Sequence, residues 1–438
     1  MNFHADASLI RALGLLVPLV VTLALWLWRK PARRPAAAAL LACAWNLPAL
    51  VVVQLLAVRF GWWRFEAQGG LLLGMPVDLY LGWVLLWGAI PLLAFPRVRF
   101  ALMAAIMLGI DLWLMPACRP VLELGERWLV GEALALSLCL VPSQLLARWT
   151  LRERHLAWRA SLQMLAFGGL MFGLLPAVII EQTGGSWSSA FLGRPAWVNG
   201  LALQLLALPA VLGLSALQEF VTRGRGTPLP YDPPQRLVTS GVYAYVANPM
   251  QLATCLLLLG WGVLLGSVWV ACAGVMCLVY GAGLAAWDED GDLKKRFGAD
   301  WLGYRCAVRR WWPRRRPYYN TGARLYIAQT CGMCGEVARW LDARRPVALE
   351  IVAAEDHPAR DLRRMTYETN DGHASAEGVA AFARALEHLN FGWAFMGCAM
   401  RLPLVREFVQ LLVDAAGGGP RLIRRRVAVT CSVDRSRD

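Results

Sequence analysis

Residues 250–287 read MQLATCLLLLGWGVLLGSVWVACAGVMCLVYGAGLAAW, an apolar run about twice the ~20 residues that one transmembrane helix needs. Gly266 and Ser267 sit near its middle and divide it into two short helices. Such a hairpin returns the chain to the side it left. Outward from it lie further apolar runs at 9–28, 38–58, 71–95, 98–116, 129–147, 161–181 and 197–221. Together with the two arms of the hairpin they predict a polytopic α-helical membrane protein of about nine transmembrane helices. The first run is followed by Arg29, Lys30, Arg33 and Arg34, so it reads as a helix that stays rather than a cleaved signal.

Alternate loops carry the arginines. One set holds Arg29 to Arg34, then Arg97 and Arg99, then Arg148, Arg152, Arg154 and Arg159, then Arg223, Arg225 and Arg236. The other holds Arg59 and Arg64, then Arg119 and Arg127 offset by Glu123 and Glu126, then Arg194. Positive charge marks the cytoplasmic side, so the N-terminus is expected outside and everything after the hairpin inside.

Composition agrees. Of 438 residues, 58% are hydrophobic and 17% are charged, against about a quarter charged in soluble domains. This excludes a wholly soluble enzyme and a disordered chain. The net charge of +14 sits beside apolar runs and reads as orientation charge, and no nucleic-acid partner is expected. Heavy use of Arg, Ala and Leu with little Lys fits a bacterial gene, hence a bacterial plasma membrane. The eleven cysteines lie mostly inside apolar runs and form no disulfide framework. Only Cys331 and Cys334 are spaced for chemistry.

Two polar segments flank the hairpin and must meet at one membrane face. The first runs from Leu237 to Gln251 and holds Tyr243, Tyr245, Asn248 and Pro249; the second runs from Trp287 to Tyr304 and opens with Asp288, Glu289 and Asp290. Three crowded carboxylates call for a positive partner. Arg296, Arg305, or a bound ammonium or sulfonium would serve. Tyr243, Tyr245, Trp287 and Trp301 offer faces for a cation or a base. Leu293, Phe297, Trp301 and Tyr304 fall on one helical stripe. An ordinary juxtamembrane segment, with solvated acids and headgroup-level aromatics, has the same residues. On the residues alone both readings stay open.

These two segments resemble the isoprenylcysteine carboxyl methyltransferase family and its phospholipid methyltransferase relatives over about 225–313. Gly241, Tyr243, Tyr245, Pro249, Glu289, Leu293, Phe297, Gly298 and Tyr304 match that pattern in order and spacing. Departures are Val242 for Pro, Ala247-Asn248 for Arg-His, Gln251 for Tyr, Asp290 for Glu and Trp301 for Tyr. The resemblance implies S-adenosylmethionine as cofactor. It implies Tyr243, Tyr245, Asn248, Pro249, Glu289, Asp290 and Tyr304 as cofactor-binding residues, with Glu289 on the ammonium group. The partner it implies is a lipophilic small-molecule acceptor or a membrane lipid, methylated chiefly through positioning. A carboxylate acceptor needs no general base.

From about residue 320 the chain turns water-soluble. Arg324–Ala328 reads as a strand, 332–343 as a helix, 347–353 as a second strand, and 376–389 and 403–415 as helices. The Cys331-Gly-Met-Cys334 motif stands between the first strand and the first helix, where the helix dipole favours a thiolate. Cys331 is the expected nucleophile and Cys334 the resolving thiol. A zinc site would need two further ligands, and His357, His373, His388 and Cys398 show no paired spacing. Residues 322–425 resemble the DCC family of thioredoxin-like thiol-disulfide oxidoreductases through this motif, Asp371-Gly372, 378–382, Trp393, Leu402-Pro403 and Arg421. Ile327-Ala328-Gln329 replaces that family's Tyr-Asp-Gly. The resemblance implies a C-terminal α/β thioredoxin-like soluble domain and a thiol partner.

The expected organisation is helices of unassigned role at 1–190, a methyltransferase-like core at 191–317, the α/β domain at 318–425 and a basic tail at 426–438. Asp78, Asp111, Glu132 and Glu181 are intramembrane acids, either functional or engaged in interhelical hydrogen bonds. Three functions remain: a lipid-directed methyltransferase, a membrane-tethered oxidoreductase using Cys331 and Cys334, or a non-enzymatic lipid- or partner-binding protein.

Overall fold

The computed structural model describes residues 3–119, 121–184, 187, 193–229 and 232–426. The basic tail beyond 426 lies outside them. Among the described residues, seven helices are long and apolar enough to cross a membrane: Ala7–Arg29, Arg33–Phe60, Val77–Ala94, Phe100–Ala117, Trp128–Leu151, Leu156–Thr183 and Ala196–Gly224. They answer the seven runs read before the hairpin. The third starts later than its apolar run because Gly69, Gly70 and Gly74 turn the chain, and Leu71–Leu72 pairs with Met75–Pro76 as a small antiparallel ladder.

The hairpin forms, but its arms are short. Pro249–Leu265 has 17 residues and Val268–Ala282 has 15. At 1.5 Å per residue these span roughly 25 and 22 Å, against ~30 Å of hydrocarbon. The expected nine spanning helices therefore become seven of spanning length. Gly266 turns the corner at φ 64°. Gly262 lets the arms close: a Cβ there would lie 2.4 Å from the Ala271 nitrogen.

The chain divides into two compact units. The first comprises 1–200, 225–233 and 258–273, with a core of Trp83, Trp87, Met103, Met107 and Leu140. Three of the four acids read within its apolar runs have partners on other segments. Asp78 pairs with Arg11 at 2.8 Å, Glu181 accepts from the Leu73 N–H at 3.2 Å, and Asp111 accepts from Trp83 Nε1 at 2.9 Å. Glu132 is buried, and its Oε1 has no hydrogen-bond partner among the described residues.

The second unit comprises 201–224, 234–257 and 274–438. Its four-stranded sheet runs in the order Leu349–Ala353, Ala323–Ile327, Thr366–Thr369, Ser375–Glu377. The first pair is parallel and the other two are antiparallel. Leu325, Ile327, Leu341, Tyr367, Ala381 and Ala385 form the core between sheet and helices. The helix read at 376–389 begins at Val379 instead, because Ser375–Glu377 is drawn into the sheet across a turn at Asp371-Gly372. The Phe391–Met400 helix is an addition, capped by the Asn390 side chain on the Trp393 N–H. The Leu284–Ala307 helix breaks at Gly298 (φ 51°, ψ −121°). The expected stripe is thus interrupted, yet Leu293, Phe297, Trp301 and Tyr304 still share one apolar cluster with Ala247 and Val308.

Candidate active site

The site is assembled from three segments of the second unit. Gly241 opens the first at φ 61°. A Cβ there would lie 2.7 Å from the Glu219 side chain, so only glycine fits. A tight turn over Gly241–Ala244 follows, and Pro249 takes the first position of the next helix, where its missing N–H costs nothing. The basic run at 309–318 is laid along this segment. Ala247 N–H donates to the Arg309 carbonyl at 2.9 Å, Asn248 N–H to Arg310 at 3.2 Å, Arg314 N–H to Tyr245 at 3.0 Å and Tyr318 N–H to Ala244 at 2.9 Å.

This brings most of the candidate residues together. Asn248 Nδ2 donates to Gln251 Oε1 at 3.0 Å and to Glu289 Oε2 at 3.5 Å. Asp290 forms an ion pair with Arg310. Tyr304 donates its hydroxyl to the Tyr243 carbonyl at 2.8 Å. Tyr245 is directed elsewhere: its buried hydroxyl donates to the Glu387 carbonyl at 2.8 Å, and its ring meets Phe391 edge-on. Its contacts are those of a structural tie within the unit.

Several buried polar atoms have no hydrogen-bond partner among the described residues: the Tyr243 hydroxyl, Asp290 Oδ1 and Arg310 Nη1. Glu289 has no ion pair among them either. Its carboxyl is pushed above the ordinary value, chiefly by burial; Arg310 opposes the rise and Asp290 adds to it. An ammonium facing Glu289 and a carboxylate facing Arg310 Nη1 would each find an unfilled partner. A zwitterionic group with an amino-acid end fits this donor set. Arg310 was not singled out from the sequence. It lies 20 residues past Asp290 with no helical spacing to betray it, and only the pairing of 247–248 with 309–310 carries it in.

Cys331 caps the Gly332–Asp342 helix and Cys334 lies in its first turn. Glu355 holds the approach loop, accepting from the Gln329 N–H at 3.1 Å and the Thr330 N–H at 3.4 Å. The Cys331 thiol is lowered, first by a hydrogen bond with the Cys334 thiol and then by the backbone N–H of Cys334. Burial and the Cys331 charge push Cys334 up to about 12. This asymmetry makes the first sulfur the one that ionises.

No curated protein and no solved structure matches the chain. Residues 197–299 match the family model for phospholipid methyltransferase. That stretch runs from the last long apolar helix through the hairpin to Glu289 and Asp290, and it supports a methyltransferase of the membrane as the activity of this region.

Proposed function

We propose that the protein transfers a methyl group from S-adenosylmethionine to a lipophilic or membrane-held small molecule. One observation carries this reading. Within the stretch that matches a methyltransferase family, the half-buried Glu289 carboxylate has a single 3.5 Å hydrogen bond and no ion pair among the described residues. Glu289 would hold the cofactor's ammonium group and Arg310 its carboxylate, while Tyr243 would offer its hydroxyl and ring. When bound, the cofactor supplies an electrophilic methyl group. Asn248 orients Glu289 through its amide, and Gln251 fixes that amide from the other side. The aromatic cluster of Trp301 and Tyr304 excludes water below the site. No histidine stands in these segments, which favours an acceptor that attacks without losing a proton, such as a carboxylate.

The proposed setting is a bacterial plasma membrane, with the N-terminus outside and the C-terminal domain in the cytoplasm. A second reading rests on Cys331. Its lowered thiol at a helix N-terminus, on a strand–helix–strand unit of thioredoxin-like order, supports thiol-disulfide exchange with a protein or small-thiol partner.

The deciding experiment is calorimetric titration of detergent-solubilised protein with S-adenosylmethionine, wild type against Glu289→Ala. Saturable binding that the variant loses supports methyl transfer and justifies a labelled-methyl screen of membrane extracts. A folded wild type that does not bind would sink it and turn attention to Cys331 and Cys334.

A further inference from the structure

The Ala196–Gly224 helix ends in a last turn that carries Thr222 and Arg223. Around that turn, Tyr367, Arg384, Arg401 and Arg406 are among the residues that line a cavity of about 320 Å³. That volume lies within the range of small-molecule sites, roughly 300–1,000 Å³. Every element of the lining belongs to the second unit.

The charges of this lining do not cancel. Arg384 reaches Glu219 at 2.9 Å and Glu387 at 3.0 Å; Arg401 reaches the same two carboxylates at 2.5 and 2.7 Å. Two guanidiniums thus face two carboxylates. Arg223 is left over. Among the described residues it has no ion pair, and it donates only to the His373 carbonyl, at 3.2 Å. Arg406 pairs with its neighbour Glu407 at 3.1 Å, but both side chains are about half exposed, so water screens the pair. Gln218 Oε1, also on this wall, is buried without a hydrogen-bond partner. The Thr222 hydroxyl already donates to the Gln218 carbonyl at 2.7 Å, so the cavity offers two guanidiniums able to turn to a ligand and an unpaired amide oxygen.

We propose that this cavity binds the phosphomonoester group of a small anionic ligand. A phosphomonoester carries about −1.5 to −2 charge at neutral pH with three acceptor oxygens, which matches the Arg223 and Arg406 guanidinium forks better than a monoanionic carboxylate does. A protonated phosphate oxygen can donate to Gln218 Oε1. The source is either a soluble phosphomonoester or a lipid of the phosphatidic-acid type, because Arg223 lies in the last turn of a helix long and apolar enough to cross a membrane. The site is separate from Glu289 and does not depend on methyl transfer.

The test uses the full chain in phosphatidylcholine nanodiscs, titrated with glycerol 3-phosphate and with short-chain phosphatidic acid. Wild type should bind at least one of them saturably. Arg223→Gln should weaken binding about tenfold or more, and Arg406→Gln by a few-fold. Tighter binding of phosphatidic acid assigns a lipid source; equal binding assigns a soluble one. Absence of saturable binding to either probe, or affinity unchanged in both variants, overturns the proposal. Arg406 is half exposed, so its variant keeps the fold and decides the matter should Arg223→Gln unfold.

Discussion

Glu219 and Arg384 meet at 2.9 Å, joining the last long apolar helix to a helix of the C-terminal domain. Neither side chain is exposed to any extent that matters. The same carboxylate also receives Arg401 at 2.5 Å and the Ser240 hydroxyl at 2.7 Å. Replacing it by Gln leaves two buried guanidiniums with Glu387 alone. We expect Glu219→Gln to destabilise this unit by about 3 kcal/mol or more, read as a lowered thermal midpoint in detergent. A midpoint within a degree of wild type would show that the network carries little stability.

Glu289 sets a pH dependence of known sign. Its carboxyl is held above the ordinary value by burial, so the folded chain retains a proton that the unfolded chain has released. Stability is therefore lost as pH rises from the ordinary carboxylate value through the raised one. Cofactor binding, which needs the ionised form, should strengthen over the same interval. Glu289→Gln should flatten both profiles between pH 4 and 8, with the ligand-free variant as stable as wild type or more so at pH 8. Parallel profiles for variant and wild type would count against this role.

Cys331 and Cys334 should separate in an alkylation experiment. The lowered Cys331 thiol should react with iodoacetamide at neutral pH, with a midpoint below the usual thiol range. Cys334, pushed up to about 12, should stay unmodified. Mass spectrometry of tryptic peptides reads both sites. Equal labelling would remove the asymmetry on which a redox role depends.

His388 should make the second unit sensitive to acid. Its ring stacks on Tyr319 at 4.1 Å and donates from Nδ1 to the Val347 carbonyl at 2.7 Å. Burial pushes it down to about 4, with the Arg384 charge adding to the fall. A histidine held neutral binds fewer protons folded than unfolded, so stability falls as pH drops below its ordinary value. Between pH 7 and 5 the loss should be about 2 kcal/mol. His388→Gln should abolish that slope in denaturant titrations, and an unchanged slope would assign it to other groups.

Much of the molecule was legible before folding was considered. Runs of about 20 apolar residues announce spanning helices because lipid cannot satisfy backbone polar groups outside a helix. All seven long runs became helices near their read bounds. The strand, Cys-x-x-Cys and helix near 323–342 were equally local. What misled was length and brevity. The hairpin's arms were too short to span, and Thr366–Thr369 and Ser375–Glu377 were too short for a period of two to register.

The sequence by itself therefore determined the membrane helices, the hairpin and the two polar segments beside it, since hydrophobic runs and turn residues act through neighbours along the chain. Only the tertiary structure decided that Arg310 joins Asp290, that Tyr245 turns to Glu387, and that Arg223, Arg384, Arg401 and Arg406 line one cavity. Those pairings join residues far apart in sequence. No local propensity encodes them, and they exist only once burial makes each charge seek a partner.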